Sequence, residues 1–182
     1  PLSLATLKRD PDLVVCDSQV VHKMMADTPP HIKTTTFSIL FSRFKGDLLE
    51  EVRGAASIKH IKPGDKILIA EACTHHPTID DIGRIKIPRW LKNYLGFDPD
   101  ITIVAGRDFP ENLKEYKLII HCGSCMLTRN EKIVRIMKAK EAGVPITNYG
   151  VAISMTQGVL ERALSPFPEA LKIYYEIVNN IS

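Results

Sequence analysis

The chain has 182 residues, which is enough for one well-packed core or for one domain with part of a second. Its residues are 45% hydrophobic and 25% charged, as in an ordinary globular protein, and a net charge of +3 without dense Lys/Arg runs argues against nucleic-acid binding. No stretch reaches the roughly 18 apolar residues of a membrane span. Four cysteines in unequal surroundings favour metal ligands in a reducing cytoplasm over a disulfide framework. Because the chain starts at Pro1 without a methionine, we expect it to continue a longer protein.

The N-terminal third contains short apolar or β-branched runs that predict strands, with helical patterns between them. The apolar run over residues 37–41 fits either a strand or a buried helix, and we favour the helix. Asp47 with Glu50 three residues later has the pattern of a helix N-cap. The predicted elements are strands over residues 13–17 and 32–36 and helices over residues 20–28 and 37–41 and from residue 47 onward.

From residue 66 onward, runs rich in Ile and Leu alternate with longer helical patterns. Short continuous apolar runs are typical of strands buried on both faces, and the alternation predicts an α/β fold, a parallel β-sheet flanked by helices in a Rossmann-like domain. We expect the helix over residues 131–140 to bury Ile133, Ile136, Met137 and Ala139. The predicted strands cover residues 66–70, 101–105, 117–120 and 145–150, and the predicted helices cover residues 88–96, 131–140, 151–164 and 169–179.

We place a domain boundary near residue 60, which divides the chain into residues 1–60 and 61–182. The first part carries only about two strand signals, too few for a self-sufficient sheet. Open strand edges and uncovered apolar surface favour pairing with further chain or with a second copy. We therefore expect a homodimer whose contact lies mainly in residues 1–60.

Cysteines and histidines cluster directly after two of the predicted strands. Cys73-x-His75 follows the strand over residues 66–70, and after a gap of 45 residues His121-Cys122-x-x-Cys125 follows the strand over residues 117–120. The carboxyl ends of parallel strands share one edge of a sheet, where open α/β folds place their sites. The spacing therefore predicts a thiolate-rich metal site at that edge.

The types of ligand do not determine which metal the site would bind. Three cysteines and one histidine could close a tetrahedral zinc site, and the same thiolates could hold an iron–sulfur cluster whose fourth iron binds a histidine, another side chain or an exogenous ligand. A third interpretation is that these are unliganded core cysteines, which is also the simplest account of Cys16 inside its apolar strand.

Four strings carry a family resemblance: Cys73-Thr-His-His76, Asp80-Asp-Ile-Gly-Arg-Ile-Lys-Ile-Pro-Arg-Trp90, His121-Cys-Gly-Ser-Cys125 and Ile146-Thr-Asn-Tyr-Gly-Val-Ala152. With similarity along nearly the whole chain, they resemble the C-terminal half of the [FeFe]-hydrogenase maturation GTPases, the HydF family. Residues 1–60 would then be part of the dimerisation domain and residues 61–182 the cluster-binding domain. No Gly-x4-Gly-Lys-[Ser/Thr] loop occurs here, so GTP would bind only to the missing N-terminal domain.

The resemblance implies a [4Fe–4S] cluster bound by Cys73, Cys122 and Cys125, with His75 and His121 as the motif histidines. It implies a scaffold or carrier for the di-iron precursor of the hydrogenase active centre, and no catalysis by this part of the chain. The partners it implies are a second copy, the apo-[FeFe]-hydrogenase and the radical-SAM hydrogenase maturases. We expect no nucleic acid and no membrane as partners.

Basic side chains lie between the two halves of the motif. Arg84, Lys86 and Arg89 fit a solvated basic face, but they could also hold an anionic ligand such as the precursor. Asn148 and Tyr149 follow another predicted strand and are expected to line the same pocket.

Two other functions fit the motif. One is a structural zinc module that stabilises an interaction domain. The other is a hydro-lyase-like enzyme, in which an open iron acts as a Lewis acid and Glu71, Asp80 or Asp81 as the acid or base.

Overall fold

A computed structural model of the chain describes residues 9–72, 81–106, 109–123 and 127–179. The described part has an α/β architecture, and each of its strand pairs is parallel. Its strands are β1 (Val14–Cys16), β2 (Thr34–Thr36), β3 (Lys66–Glu71), β4 (Asp100–Ala105), β5 (Leu118–His121) and β6 (Ile146–Asn148). Its α-helices are α1 (Val21–Asp27), α2 (Phe37–Lys45), α3 (Leu48–Ser57), α4 (Ile87–Leu95), α5 (Arg129–Glu141), α6 (Tyr149–Thr156), α7 (Leu160–Ala163) and α8 (Pro168–Asn179).

The main sheet has the strand order β4-β3-β5-β6. Its central strands β3 and β5 are buried on both faces, which is why their sequences are continuous apolar runs without polar alternation. The edge strand β4 is partly exposed. The predicted parallel α/β fold is therefore confirmed.

Helices cover both faces of this sheet. Ile67 and Ile69 of β3 point into a large core shared with most of the helices. Leu68 between them points to the opposite face, into a smaller core that includes Ile136 and Ala139 of α5. Successive strand residues thus supply opposite faces, as the pleat requires.

The N-terminal part contains the two-stranded sheet of β1 and β2. Helix α2 begins directly after β2, and the Thr36 side chain accepts a hydrogen bond from the Ile39 amide. Helix α3 begins after Asp47, whose carboxylate accepts hydrogen bonds from the Leu49 and Glu50 amides. The helix favoured over residues 37–41 and the N-cap at Asp47 are both confirmed.

The buried side of α5 differs from the prediction. Lys132 and Arg135 are buried together with Ile136 and Ala139, whereas Met137 is 53% exposed. The prediction assumed that only apolar side chains occupy the core-facing positions. The charged side chains at these positions have partners outside α5, Glu51 for Lys132 and the Gly106 carbonyl oxygen for Arg135, so they can face inward.

The helix predicted over residues 151–164 is two helices. Gly158 separates α6 from α7 with φ of 71°, a left-handed conformation that ends a helix and favours glycine. The helical segment predicted to start at Pro88 begins earlier, with a π-helical turn over Ile82–Lys86 that leads into α4.

No helix in the described ranges is both long and apolar enough to cross a membrane.

Candidate metal centre

Three strands of the main sheet end side by side. Ala70 of β3 pairs with His121 of β5, and His121 pairs with Asn148 of β6. The residues that follow these positions, Glu71, Cys122 and Tyr149, therefore lie along the same carboxyl edge. This edge holds the described part of the predicted site.

Cys122 connects the two halves of the sequence motif. Its sulfur accepts a hydrogen bond from the Ala72 amide with an N–S distance of 3.1 Å. Its own amide donates to the carbonyl oxygen of Ala70 at 3.0 Å. Ala72 directly precedes Cys73 in the chain. Hydrogen bonds from backbone amides to ligating sulfurs are among the groups that tune metal and cluster sites.

The other predicted ligands, Cys73, His75 and Cys125, lie outside the described residues. Within the described ranges, no group of three or more His, Cys, Asp or Glu side chains is arranged to hold a metal ion. The described contacts therefore concern Cys122 and the side chains around it. These contacts fit a metal-binding thiolate, because Cys122 already has a backbone donor on its sulfur.

His121 is buried, with 1% of its surface exposed. Its Nδ1 lies 2.7 Å from the carbonyl oxygen of Cys122, to which it donates. Its Nε2 lies 3.3 Å from Oε1 of Glu51. A ligand role for His121 would require one of these contacts to be given up, and that role stays a prediction. The observed contacts hold the backbone of Cys122 in place.

Glu51 of α3 is fully buried at the centre of a polar cluster. Its Oε1 accepts from Lys132 Nζ at 2.7 Å and faces His121, while its Oε2 accepts from Ser42 and from Asn148 Nδ2. Burial alone would raise the pKa of Glu51, but the hydrogen bonds and charges of His121 and Lys132 outweigh it and lower the pKa to about 2. Glu51 is therefore a carboxylate whose two oxygens are both satisfied.

This cluster was not predicted from the sequence, although one signal was available. Lys132 and Arg135 have the helical spacing of Ile136 and Ala139, so they occupy the same face of α5. Charged residues in a core-facing row indicate buried partners. Glu51 has the same helical spacing relative to Leu48, Val52 and Ala55 on α3, but the sequence does not show that it meets His121, which is 70 residues away.

Arg135 brings a buried cation close to Cys122. Its guanidinium donates to the carbonyl oxygen of Gly106 at 2.9 Å and lies over the Phe109 ring, 5.2 Å from the ring centroid. Burial lowers the pKa of Arg135, and the charges of Cys122 and Glu131 oppose that shift. Arginine stays protonated in proteins, so this side chain is a positive charge near the sulfur.

The three predicted basic residues have different positions. Arg84 donates to Oε2 of Glu71 at 2.9 Å, at the end of β3. Lys86 donates to the side-chain oxygen of Gln19 at 3.0 Å, and Arg89 is exposed on α4. The structure therefore brings Arg84 to the carboxyl edge of the sheet, where the Glu71 carboxylate accepts from one of its guanidinium N–H groups.

Tyr149 follows β6 at the same edge, and the prediction that it lines a shared pocket stays a prediction. Its hydroxyl oxygen is buried and has no hydrogen-bond partner among the described residues. A Cβ on Gly83 would lie 2.1 Å from this oxygen, so the turn over Ile82–Lys86 approaches the ring closely only because residue 83 is glycine.

Two family models match the chain. The hydrogen maturase F dimerization domain matches residues 1–46, and the hydrogen maturase F tetramerization domain matches residues 49–166. A search of the curated proteins found no match. The matched ranges meet between residues 46 and 49, and the boundary near residue 60 stays a prediction. Since one model covers well over half of the chain and agrees with the motif resemblance, the chain belongs to the hydrogen maturase F family, which acts in hydrogenase maturation and self-associates.

Proposed function

We propose that the chain binds a [4Fe–4S] cluster through Cys73, Cys122 and Cys125 at the carboxyl edge of the main sheet. In this role it is a scaffold or carrier for the di-iron precursor of the [FeFe]-hydrogenase active centre. It would receive the precursor from radical-SAM maturases and deliver it to the apo-hydrogenase, as a homodimer in the cytoplasm. GTP would act on a domain outside this chain.

The observation that carries the proposal is the hydrogen bond from the Ala72 amide to the Cys122 sulfur at 3.1 Å. It joins the end of β3, where Cys73 follows in the sequence, to the end of β5, where Cys122 begins its motif. Parallel pairing of β3 with β5 is what makes the contact possible across 50 residues of chain.

The surroundings of Cys122 also suit an anionic group. Arg135 contributes a buried positive charge, and the His121 ring donates a hydrogen bond to the Cys122 carbonyl oxygen. When bound, the cluster would supply one iron without a thiolate ligand, where an exchangeable group can bind. The residues of this chain would hold the three thiolates, supply backbone donors and balance the charge.

The di-iron precursor, as cargo, would be anionic, and basic side chains near the site would attract it. Arg84 is placed at the edge, although Glu71 neutralises part of its charge. Lys86 and Arg89 remain candidates for attracting the precursor before it reaches the cluster, since Arg89 is exposed on α4. His75 remains a candidate ligand of the open iron.

The enzyme alternative is less well supported. Glu71 accepts from Arg84 at 2.9 Å, and Asp81 accepts from the Arg84 amide at 2.8 Å. Glu71 and Asp81 thus have structural partners, which favours the carrier role, and the third candidate, Asp80, lies outside the described residues.

The test is anaerobic reconstitution of the chain with iron and sulfide, followed by iron, sulfide and zinc analysis and an absorption spectrum. We expect a brown protein with iron and sulfide, and Cys122→Ser should lose most of both. Cys16→Ala is the matched control, because Cys16 ends β1 in the other sheet, and it should retain the cluster. A colourless protein that binds one zinc would contradict the proposal and favour the structural zinc module.

A further inference from the structure

Among the residues that the structure describes, the hydroxyl of Tyr149, at the carboxyl edge of the main sheet, has no hydrogen-bond partner. Buried polar atoms without a hydrogen-bond partner are uncommon in folded proteins, and one at a candidate site is often completed by a bound group. Within the described ranges, the Tyr149 oxygen is buried and has no partner, although Glu71 and Arg84 pair with each other nearby.

The position of Tyr149 follows from strand register. His121 pairs with Asn148 in the β5–β6 ladder, so Cys122 and Tyr149 both come one residue after a paired position. Asn148 caps α6 by accepting from the Val151 amide at 3.0 Å, and this cap sets the direction in which Tyr149 leaves the sheet.

The other side of the ring is closed by the turn over Ile82–Lys86. The point where a Gly83 Cβ would lie is 2.1 Å from the Tyr149 oxygen and 2.9 Å from Oε1 of Glu71. The backbone at Gly83 therefore holds the hydroxyl in place without offering it a hydrogen-bonding atom.

The hydroxyl keeps its proton. Burial raises the pKa of Tyr149 well above its usual value, and the negative charges of Glu71, Cys122 and Asp81 raise it further. The positive charge of Arg84 opposes this shift without reversing it, so the side chain is a neutral phenol that can donate one hydrogen bond.

We propose that Tyr149 donates a hydrogen bond to an anionic atom of the cluster held at Cys122. The inference rests on the proposed cluster function and assigns Tyr149 a positioning and tuning role in it. A donor to an anionic cluster stabilises the reduced form more than the oxidised form, because the reduced form carries more negative charge. Tyr149 therefore raises the reduction potential of the cluster and contributes one exchangeable proton close to it.

The test is Tyr149→Phe, which removes only the oxygen, in the reconstituted chain. We expect unchanged iron and sulfide content and a more negative reduction potential in a redox titration. Pulsed electron paramagnetic resonance of the reduced protein, compared between H2O and D2O, should show one exchangeable-proton coupling fewer than in the wild type. Tyr116→Phe is the matched control. Tyr116 is also buried, but it precedes β5 at the opposite end of the strand.

Each other outcome overturns the inference in a recognisable way. If Tyr149→Phe keeps the cluster, the potential and the proton coupling, the hydroxyl does not donate to it. If Tyr149→Phe loses the iron while its circular dichroism is unchanged, Tyr149 is a ligand and not a donor. If the unsubstituted chain binds no iron–sulfur cluster, the proposed function fails first and the inference fails with it.

Discussion

At the scale of single residues, the burial of the Glu51 charge depends on the side chains around it. Its carboxylate has no exposed surface and is satisfied by side chains from α2, α5, β5 and β6. Gly46 allows this arrangement, because a Cβ there would lie 2.8 Å from both Oε1 of Glu51 and Nζ of Lys132. A charge buried in this way is stable only while its partners remain.

Replacing Lys132 by Met should therefore destabilise the chain strongly. The substitution keeps most of the apolar part of the side chain but removes the ammonium group, so Glu51 loses its shortest cationic contact. Breaking a buried pair costs about 3 kcal/mol in free energy of unfolding. Urea unfolding followed by circular dichroism measures the change. Lys138→Met on the exposed side of α5 is the control and should change the stability by less than about 0.5 kcal/mol.

Glu51 should also make stability depend on pH. Its pKa in the folded chain is about 2, below the ordinary value of 4.5, so its contribution is complete above pH 4.5 and is lost as the pH falls towards 2. Between pH 5 and pH 3 the wild-type chain should lose on the order of 2 kcal/mol relative to Glu51→Gln. Urea unfolding of both iron-free proteins at the two pH values tests this. An equal dependence on pH in the two proteins would contradict it.

At the scale of elements, α3 lies unusually close to β6. A Cβ on Gly54 would be 2.1 Å from the carbonyl oxygen of Ile146, which is backbone and cannot rotate away. The same approach places Glu51, one turn earlier on α3, against Asn148 at the end of β6. The distance between α3 and β6 thus determines whether the polar cluster can form.

Gly54→Ala should separate α3 from β6 and cost about 1–3 kcal/mol in free energy of unfolding. Thermal unfolding of the variant measures the loss. The control is Gly123→Ala, since a Cβ at Gly123 would meet no atom of the described residues within 4 Å. Equal melting temperatures for Gly54→Ala and the wild type would show that the helix can move without cost.

At the scale of the whole molecule, the two matched ranges are packed together and not merely linked. Ser42 of α2, in the dimerization range, donates to Glu51 of α3, in the tetramerization range. Gly150 of α6 also approaches α2 closely, because a Cβ there would lie 1.9 Å from the Ser38 hydroxyl. A shift in the position of α2 would therefore also move the contacts at the strand ends that carry His121 and Asn148.

The outer face of α2 is a candidate contact between copies. Phe37, Phe41 and Phe44 are 52%, 56% and 78% exposed, and they lie within the range matched by the dimerization domain. Exposed apolar rows of this kind mark interaction sites. The double variant Phe41→Ser/Phe44→Ser should therefore have a lower mass by light scattering at micromolar concentration.

The control for this experiment is Tyr175→Ser, an exposed aromatic on α8 outside both matched ranges. It should leave the mass unchanged. If the double phenylalanine variant also kept the wild-type mass, self-association would use another surface.

The sequence by itself determined the α/β architecture and the strand ends at which the predicted ligand residues lie. Continuous apolar runs predicted β3 and β5, because strands buried on both faces cannot alternate with polar residues. Local chemistry predicted the cap at Asp47, since its partners are only two and three residues away. The rule that parallel strands share a carboxyl edge predicted that Cys122 lies beside the end of β3, where its sulfur contacts the Ala72 amide, and the metal site itself stays a prediction.

Only the tertiary structure decided which polar groups meet. Periodicity shows that Lys132 shares a face with Ile136, but it cannot show that Glu51 lies opposite, because that contact joins separate elements. The same reason applies to His121, whose ring is directed to Glu51 by packing, and to the hydroxyl of Tyr149, which is enclosed by Gly83. The helix or strand that contains a residue determines which face its side chain lies on, but only the packing of separate elements determines which side chain it contacts.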